Sequence, residues 1–406
     1  MIDAADITAI GQRLAVAGGR EGPAAWDLRI DAMDLSSDPA LLHHAKHQTL
    51  MRAYQNRYVL LPSSATKGSV VQGLQRRYDP EIIGTLEALR APLEAELIAP
   101  RADAARRGAG GQDIMGYVQA LVPGLQREPE NAFTAFLRLT PHRAHHYRDF
   151  LLQSSADLLA EASASALGVV GDFGAPQSAL FRILIDEFGY GAHERKHSVL
   201  YQAVMQGFGL CDQYSSYFPL FDTVALELHN TIHYLFQNPR NFFMQVGFLL
   251  YAETAYQRST QDHFRYLRQF HPDIDARYFG EHAHIDLHHS KMVIDEVITP
   301  MVMAYGSEVG VEIIAGAELT RATFASAGAH LLAVSKAFAA AVESGEARYA
   351  APSPSRDGVG VSPTSAMAAS DRALEIQVGG LGVVTCAGAF GGFPPGAFGR
   401  LLDRAV

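Results

Sequence analysis

Hydrophobic positions recur at helical spacing along most of this chain. Ile82, Leu86, Leu89, Leu93 and Leu97 are separated by 4, 3, 4 and 4 residues, which is one apolar face of a helix. The same reading predicts helices over 38–58, 79–98, 128–139, 142–167, 176–207, 219–236, 239–269, 274–304 and 308–345. Convincing polar–apolar alternation is absent from this part, so the expected fold class is all-α. Gly-rich joints such as Arg107-Gly108-Ala109-Gly110-Gly111 break the helices of residues 1–125, whereas 126–346 reads as one continuous bundle. Residues 347–370 are rich in Ala, Pro and Ser and read as a linker. The tail, 371–406, has a short strand-like piece, Leu374-Glu375-Ile376-Gln377-Val378, followed by irregular Gly-rich sequence.

Composition narrows the function. A chain of 406 residues that is 48% hydrophobic and 19% charged can build a sizeable core. A formal charge of −10 argues against nonspecific nucleic-acid binding, which needs a basic face. Cys211 and Cys386 are too few for a disulfide scaffold or a zinc–thiolate site. The N-terminus lacks the basic and apolar regions of a signal peptide. The apolar stretch at 244–256 contains Gln245 and Glu253 and is too short to span a bilayer. The expectation is a cytoplasmic protein with no membrane partner. Histidine is the informative residue: 13 of 17 lie between His142 and His289.

Four segments carry candidate chemistry. In Glu281-His282-Ala283-His284-Ile285-Asp286-Leu287-His288-His289, a helix places His282, Asp286 and His289 on one stripe. Two imidazoles and a carboxylate suit iron or manganese, although a solvated polar face has the same pattern. Glu253 projects from an apolar helix face, where a carboxylate needs a metal or a basic partner. In the run 186–197, Gly189 and Gly191 are poor helix residues and suggest a widening or close approach that brings Glu187 and His197 together. His193 competes with His197, and a simple kink bearing surface histidines is the alternative. Glu161 follows Leu158 and Leu159 and, taken alone, is an ordinary helix glutamate. A rival arrangement uses the two Glu-x-x-His pairs, Glu194/His197 and Glu281/His284, with Glu161 and Glu253, in the ferritin-like manner.

The run from Asp186-Glu187-Phe188-Gly189 to His197, then Glu253, then His-x-x-x-Asp-x-x-His at 282–289, resembles the haem-oxygenase-like diiron oxidases, the iron-containing redox enzyme family. The likeness covers roughly residues 140–345. It implies a haem-oxygenase-like helical bundle without haem, with Glu187, His197, Glu253, His282, Asp286 and His289 as ligands. It also implies two Fe ions, O2 as co-substrate, an external electron donor and a peroxo-diferric species, with Glu253 bridging the metals. One N-oxygenase of this family that the chain resembles has a further carboxylate ligand on an earlier helix, implied here at Glu161, and an N-terminal helical dimerisation region, which 1–125 resembles. The likeness thus points to a homodimer that oxygenates a small-molecule amine, an amino acid or a derivative, to a hydroxylamine, nitroso or nitro product of specialised metabolism. A C-terminal cupin with a second iron site, found on one such enzyme, is not expected, because the tail lacks histidine and is too short. Partners outside the ligand set are expected among Tyr256, Asp295 and Glu296. The alternatives are a diiron desaturase or C–C-cleaving oxidase, and a non-catalytic iron-binding protein.

Overall fold

The computed structural model describes residues 2–10, 35–36, 38–61, 69–214 and 217–345. The linker and tail expectations for 347–370 and 371–406 lie outside these residues. Among the described residues there is no strand, and the fold is all-α as the patterning predicts. After a helical stretch over residues 4–10, the helices are α1 (Pro39–Gln55), α2 (Val70–Arg77), α3 (Pro80–Leu97), α4 (Ala99–Ala109), α5 (Ile114–Gln126), α6 (Ala132–Leu139), α7 (Arg143–Leu158) and α8 (Ser163–Gly168). They continue with α9 (Ala175–Glu187), α10 (His197–Gly207), α11 (Thr223–Phe236), α12 (Phe242–Phe270), α13 (Arg277–Met292), α14 (Thr299–Tyr305) and α15 (Ser307–Glu343).

Local chemistry sets many of the boundaries. Asp38 and Asp79 each precede a proline and accept from the first backbone N–H groups of α1 and α3. Asp113, Asn131 and Asp222 cap α5, α6 and α11 in the same way. The helices α2, α4 and α5 were not expected from the periodicity. They are short or proline-containing, and α2 buries no residue, so none carries a long apolar stripe.

The N-terminal helices pack directly on the rest and share its core, in which Leu50, Met51 and Leu86 join Tyr147, Leu226, Leu250 and Ile313. A buried Arg90–Glu94 pair on α3 ties three helices together. Tyr54 of α1 donates to Glu94 at 2.8 Å, and Arg90 donates to the Gln237 carbonyl, just past α11, at 2.9 Å. Breaking one partner would strand a buried charge.

The long helices α12 and α15 approach closely because glycines face each other. A Cβ on Gly247 would lie 2.0 Å from the Ile313 carbonyl oxygen, and one on Gly316 would lie 2.0 Å from that of Met244. This contact fixes α12, which carries Glu253. The first half of α15 is buried there. On length and composition alone α15 is also apolar enough to cross a bilayer.

Two long predicted helices are broken. The one expected over 142–167 ends at Leu158 and resumes at Ser163, with Ala162 left-handed at φ 65°. The one expected over 176–207 ends at Glu187 and resumes at His197, after two short 3-10 turns in which Tyr190 is left-handed at φ 55°. Ala162 and Tyr190 are the two non-glycine residues with positive φ among those described. Both lie within three residues of a candidate ligand, and such local strain tends to gather at functional sites.

Gly247→Ala should lower the stability of the fold by about 3 kcal/mol, the upper end for forced overpacking, because the clash is with backbone. Chemical denaturation of the two proteins checks it, and an unchanged midpoint would contradict the close packing of α12 on α15.

Candidate metal centre

All seven sequence-predicted candidates come together, in two adjacent groups. Glu161, Glu187, His197 and His282 form one, and Glu253, Asp286 and His289 the other; within each group the ligating atoms lie within 4.8 Å of one another. The helix α13 contributes His282, Asp286 and His289, all buried, from one face. Its opposite face carries Glu281, His284 and His288, all exposed, and Glu194 and His193 are exposed as well. The ferritin-like alternative and His193 therefore have no place in the interior.

The break between α9 and α10 is what joins Glu187 to His197. At Gly189, φ is +64° and a Cβ would lie 2.5 Å from Arg195 C and Lys196 N. The chain can fold back on itself only because that residue has no side chain. His197 Nδ1 then sits 2.7 Å from Glu187 Oε2 and 3.2 Å from His282 Nε2. His282 Nε2 is also 3.3 Å from Glu161 Oε1.

Glu187 faces both groups. Its Oε2 meets His197, and its Oε1 lies 3.6 Å from His289 Nδ1. Glu253 Oε2 lies 3.2 Å from the same nitrogen, within the second group. Glu187 thus faces both groups, because the α9–α10 turn swings the end of α9 across them, which is not visible in helix periodicity.

Each of two histidines is oriented by its other nitrogen. His282 Nδ1 donates to the Tyr278 carbonyl at 2.9 Å, and His289 Nε2 donates to Asp186 Oδ2 at 3.0 Å. The Tyr278 hydroxyl donates to Glu161 Oε1 at 2.8 Å, so one tyrosine positions two members of the first group. Sequence reading missed Tyr278 and Asp186 in these roles. The signal was available: Tyr278 lies four residues before His282 on the same helix face, and Asp186 neighbours Glu187. The expected partners Asp295 and Glu296 are exposed, and Glu296 pairs with Arg182 instead. A π-helical turn over Val293–Ile298 follows His289 and rotates later residues off the stripe that α-helical spacing assumes.

The centre is short of positive charge. It holds four carboxylates and three imidazoles. Among the described residues, the ion pairs of these carboxylates are with histidines, and none is with Lys or Arg. Both Asp286 oxygens and Glu161 Oε2 are buried with no hydrogen-bond partner. Burial would raise the Glu187 carboxyl, but His197, His282 and His289 hold it at about 2. Burial, with Glu253 and Glu187 adding to it, pushes Asp286 well above the carboxylate range. Burial would lower His282 and His289, but the carboxylates outweigh it, raising His282 well above its usual value and His289 to about 10. Without a metal, the upward shifts of Asp286, His282 and His289 favour their protonated forms, which offsets part of the negative charge. Four ionised carboxylates match the charge of two divalent cations, and the mixed oxygen and nitrogen donors suit iron or manganese. The donor set, the orphaned oxygens and the charge therefore fit a dimetal site.

Residues 148–323 match the family model described as iron-containing redox enzyme. The chain is similar to nitrosourea synthase of Streptomyces achromogenes subsp. streptozoticus, with 31% identity over 277 residues, 68% of this chain. The match spans 58% of that relative's own length.

Loading divalent ions at neutral pH should release protons, because His282 and His289 are held above their usual values and must lose a proton to bind a metal. Calorimetry in buffers of different ionisation enthalpy measures this. The metal-free protein carries the opposite signature. The stabilisation from His289 is present below its usual value of 6.5 and lost as pH rises through about 10. That from Glu187 is present above 4.5 and lost as pH falls through about 2. Metal uptake without proton release would contradict the charge assignment.

Proposed function

Residues 148–323 belong to the iron-containing redox enzymes of haem-oxygenase-like type, and from that premise we propose that the chain is a diiron oxygenase acting on the nitrogen of an amine. The observation that carries this reading is the pair of adjacent groups with a four-carboxylate, three-imidazole donor set and Glu187 between them. Similarity to a relative named for making a nitrosourea, a compound with an oxygenated nitrogen, points the reaction towards N-oxygenation rather than desaturation.

In this reading Glu161, Glu187, His197 and His282 would hold one iron, and Glu253, Asp286 and His289 would hold the other, with Glu187 facing both groups. Two irons would supply O2 activation. The chain supplies the rest. Tyr278 fixes the first group by holding both Glu161 and His282, and Asp186 fixes the ring of His289. Carboxylates that can change their mode of binding let the centre adjust as its charge changes. The buried surroundings limit water, which would compete with a neutral amine for the oxidant.

A cavity of about 360 Å³, lined by Asp186, Tyr190, Arg195, His197 and Arg277 among others, leads to this edge of the centre. It provides an approach for a small molecule. An external reductant supplies electrons between rounds, and the amine leaves as a hydroxylamine or, after further rounds, as a nitroso or nitro compound. We place the enzyme in the cytoplasm, as a homodimer joined through residues 1–125.

Asp286→Ala and His289→Ala should each cost at least half of the bound iron and nearly all turnover. Glu194→Ala and Glu281→Ala should leave both intact. Iron content, and transfer of isotope from labelled O2 to the nitrogen of an amine, are the readouts. Full iron content in the first pair, or label found only on carbon, would defeat the reading.

A further inference from the structure

A line of aromatic rings runs from the metal centre towards the surface, and neither the ligand set nor the cavity uses it. It starts at His282, whose ring centre lies 4.5 Å from that of Tyr278 on α13. Tyr278 lies 5.0 Å from Phe279, which stacks on His263 of α12 at 5.1 Å and meets Tyr147 of α7 at 6.4 Å. Tyr147 stacks on Tyr266 of α12 at 5.1 Å. Tyr266 lies 5.3 Å from Phe270 and 5.5 Å from His271, both half-buried where α12 ends. Tyr147 and Tyr266 are fully buried, and Tyr278 nearly so.

Packing alone accounts for stacked rings. It does not account for the hydroxyls. Each of the three tyrosines on the line pairs its hydroxyl with a base: Tyr278 with Glu161 Oε1 at 2.8 Å, Tyr147 with His263 Nδ1 at 3.1 Å, and Tyr266 with His271 Nε2 at 3.1 Å. Burial lowers His263 to about 4, and burial with Arg143 and Arg148 lowers His271, so both imidazoles are neutral at neutral pH and have a lone pair for a tyrosine proton. A tyrosine beside such an acceptor loses an electron more readily, because its proton has a place to go. The far end of the line carries positive charge. Arg143 lies over the Phe270 ring at 4.5 Å and Arg138 at 5.7 Å. Arg138 pairs with Glu130, whereas Arg143 has no carboxylate partner among the described residues. That end therefore attracts an anionic electron donor.

We propose that Tyr278, Tyr147 and Tyr266 form a relay that carries oxidising equivalents from the metal centre to the surface when no amine is bound. One electron passes from Tyr147 to the centre through Phe279 and Tyr278, and the Tyr147 proton moves to His263. An electron from Tyr266 then restores Tyr147, which takes its proton back, and the Tyr266 proton moves to His271. A small anionic one-electron reductant such as ascorbate restores Tyr266, with the proton held on His271. The centre has gained one electron, the reductant has lost one, and every protein proton is back in place. The oxidised centre is thereby kept from attacking its own ligands. Tyr201 is a side branch, 5.0 Å from Tyr278, because its hydroxyl donates to the Leu151 carbonyl, which does not take a proton. The relay rests on the O2-activating reading of the centre.

The test mixes iron-loaded protein with O2 in the absence of amine, with and without ascorbate, and freezes samples at intervals for paramagnetic resonance. The native protein should show an organic radical that narrows when its tyrosines are ring-deuterated, and ascorbate should remove it. Tyr147→Phe interrupts the line, so ascorbate should remove the radical at least about tenfold more slowly. Tyr266→Phe should behave in the same way, and Tyr201→Phe should keep the native rate. Oxidation of the iron without a tyrosine radical, equal removal in the native protein and both interrupted variants, or equal slowing in Tyr201→Phe would each overturn the relay and leave the oxygenase reading standing. Iron that O2 does not oxidise would sink that reading and the relay with it.

Discussion

Four clustered carboxylates, buried or nearly so, with no lysine or arginine among their ion-pair partners are the constraint around which this interior is organised. Like charges at this separation in a low-dielectric interior repel strongly. Protons can relieve part of this, and the upward shifts of Asp286, His282 and His289 run in that direction. Two divalent cations would match the charge of four ionised carboxylates and give partners to the orphaned oxygens of Asp286 and Glu161. A structural role alone gives no reason to keep such a cluster, because an apolar core of the same volume would be at least as stable.

The fold meets this constraint by combining rigid helices with two deliberate breaks. α13 supplies three ligating side chains from one face, and the glycine contact between α12 and α15 fixes the helix that carries Glu253. The remaining members come from places where helices stop. Glu161 sits on the turn before left-handed Ala162, and Glu187 and His197 flank a loop that Gly189 allows to close on itself. Regular helices could not bring residues ten apart to one point. The strained turns do so, and the surrounding packing holds them in place.

Much of the candidate site was legible in the sequence, and the reasons are physical. The stripe His282, Asp286, His289 follows from helical period alone, and it separates cleanly from exposed Glu281, His284 and His288. The unusual glycines at 189 and 191 signalled a close approach, though not the complete break in the helix. Glu161 was carried by family likeness, because a lone glutamate gives no local signal. What was not legible depends on the third dimension: the position of Glu187 between the groups, the π turn that turns Glu296 outwards, and Tyr278 serving two ligands at once.

The central claim is that these two groups form one coupled two-iron centre joined by Glu187. Anaerobic titration with Fe(II), followed by Mössbauer and integer-spin magnetic resonance spectroscopy, tests it most directly. The account predicts two Fe(II) bound per chain and magnetically coupled, with coupling lost in Glu187→Ala while some iron remains. A single iron per chain, or two uncoupled irons whose signals do not respond to Glu187, would contradict it.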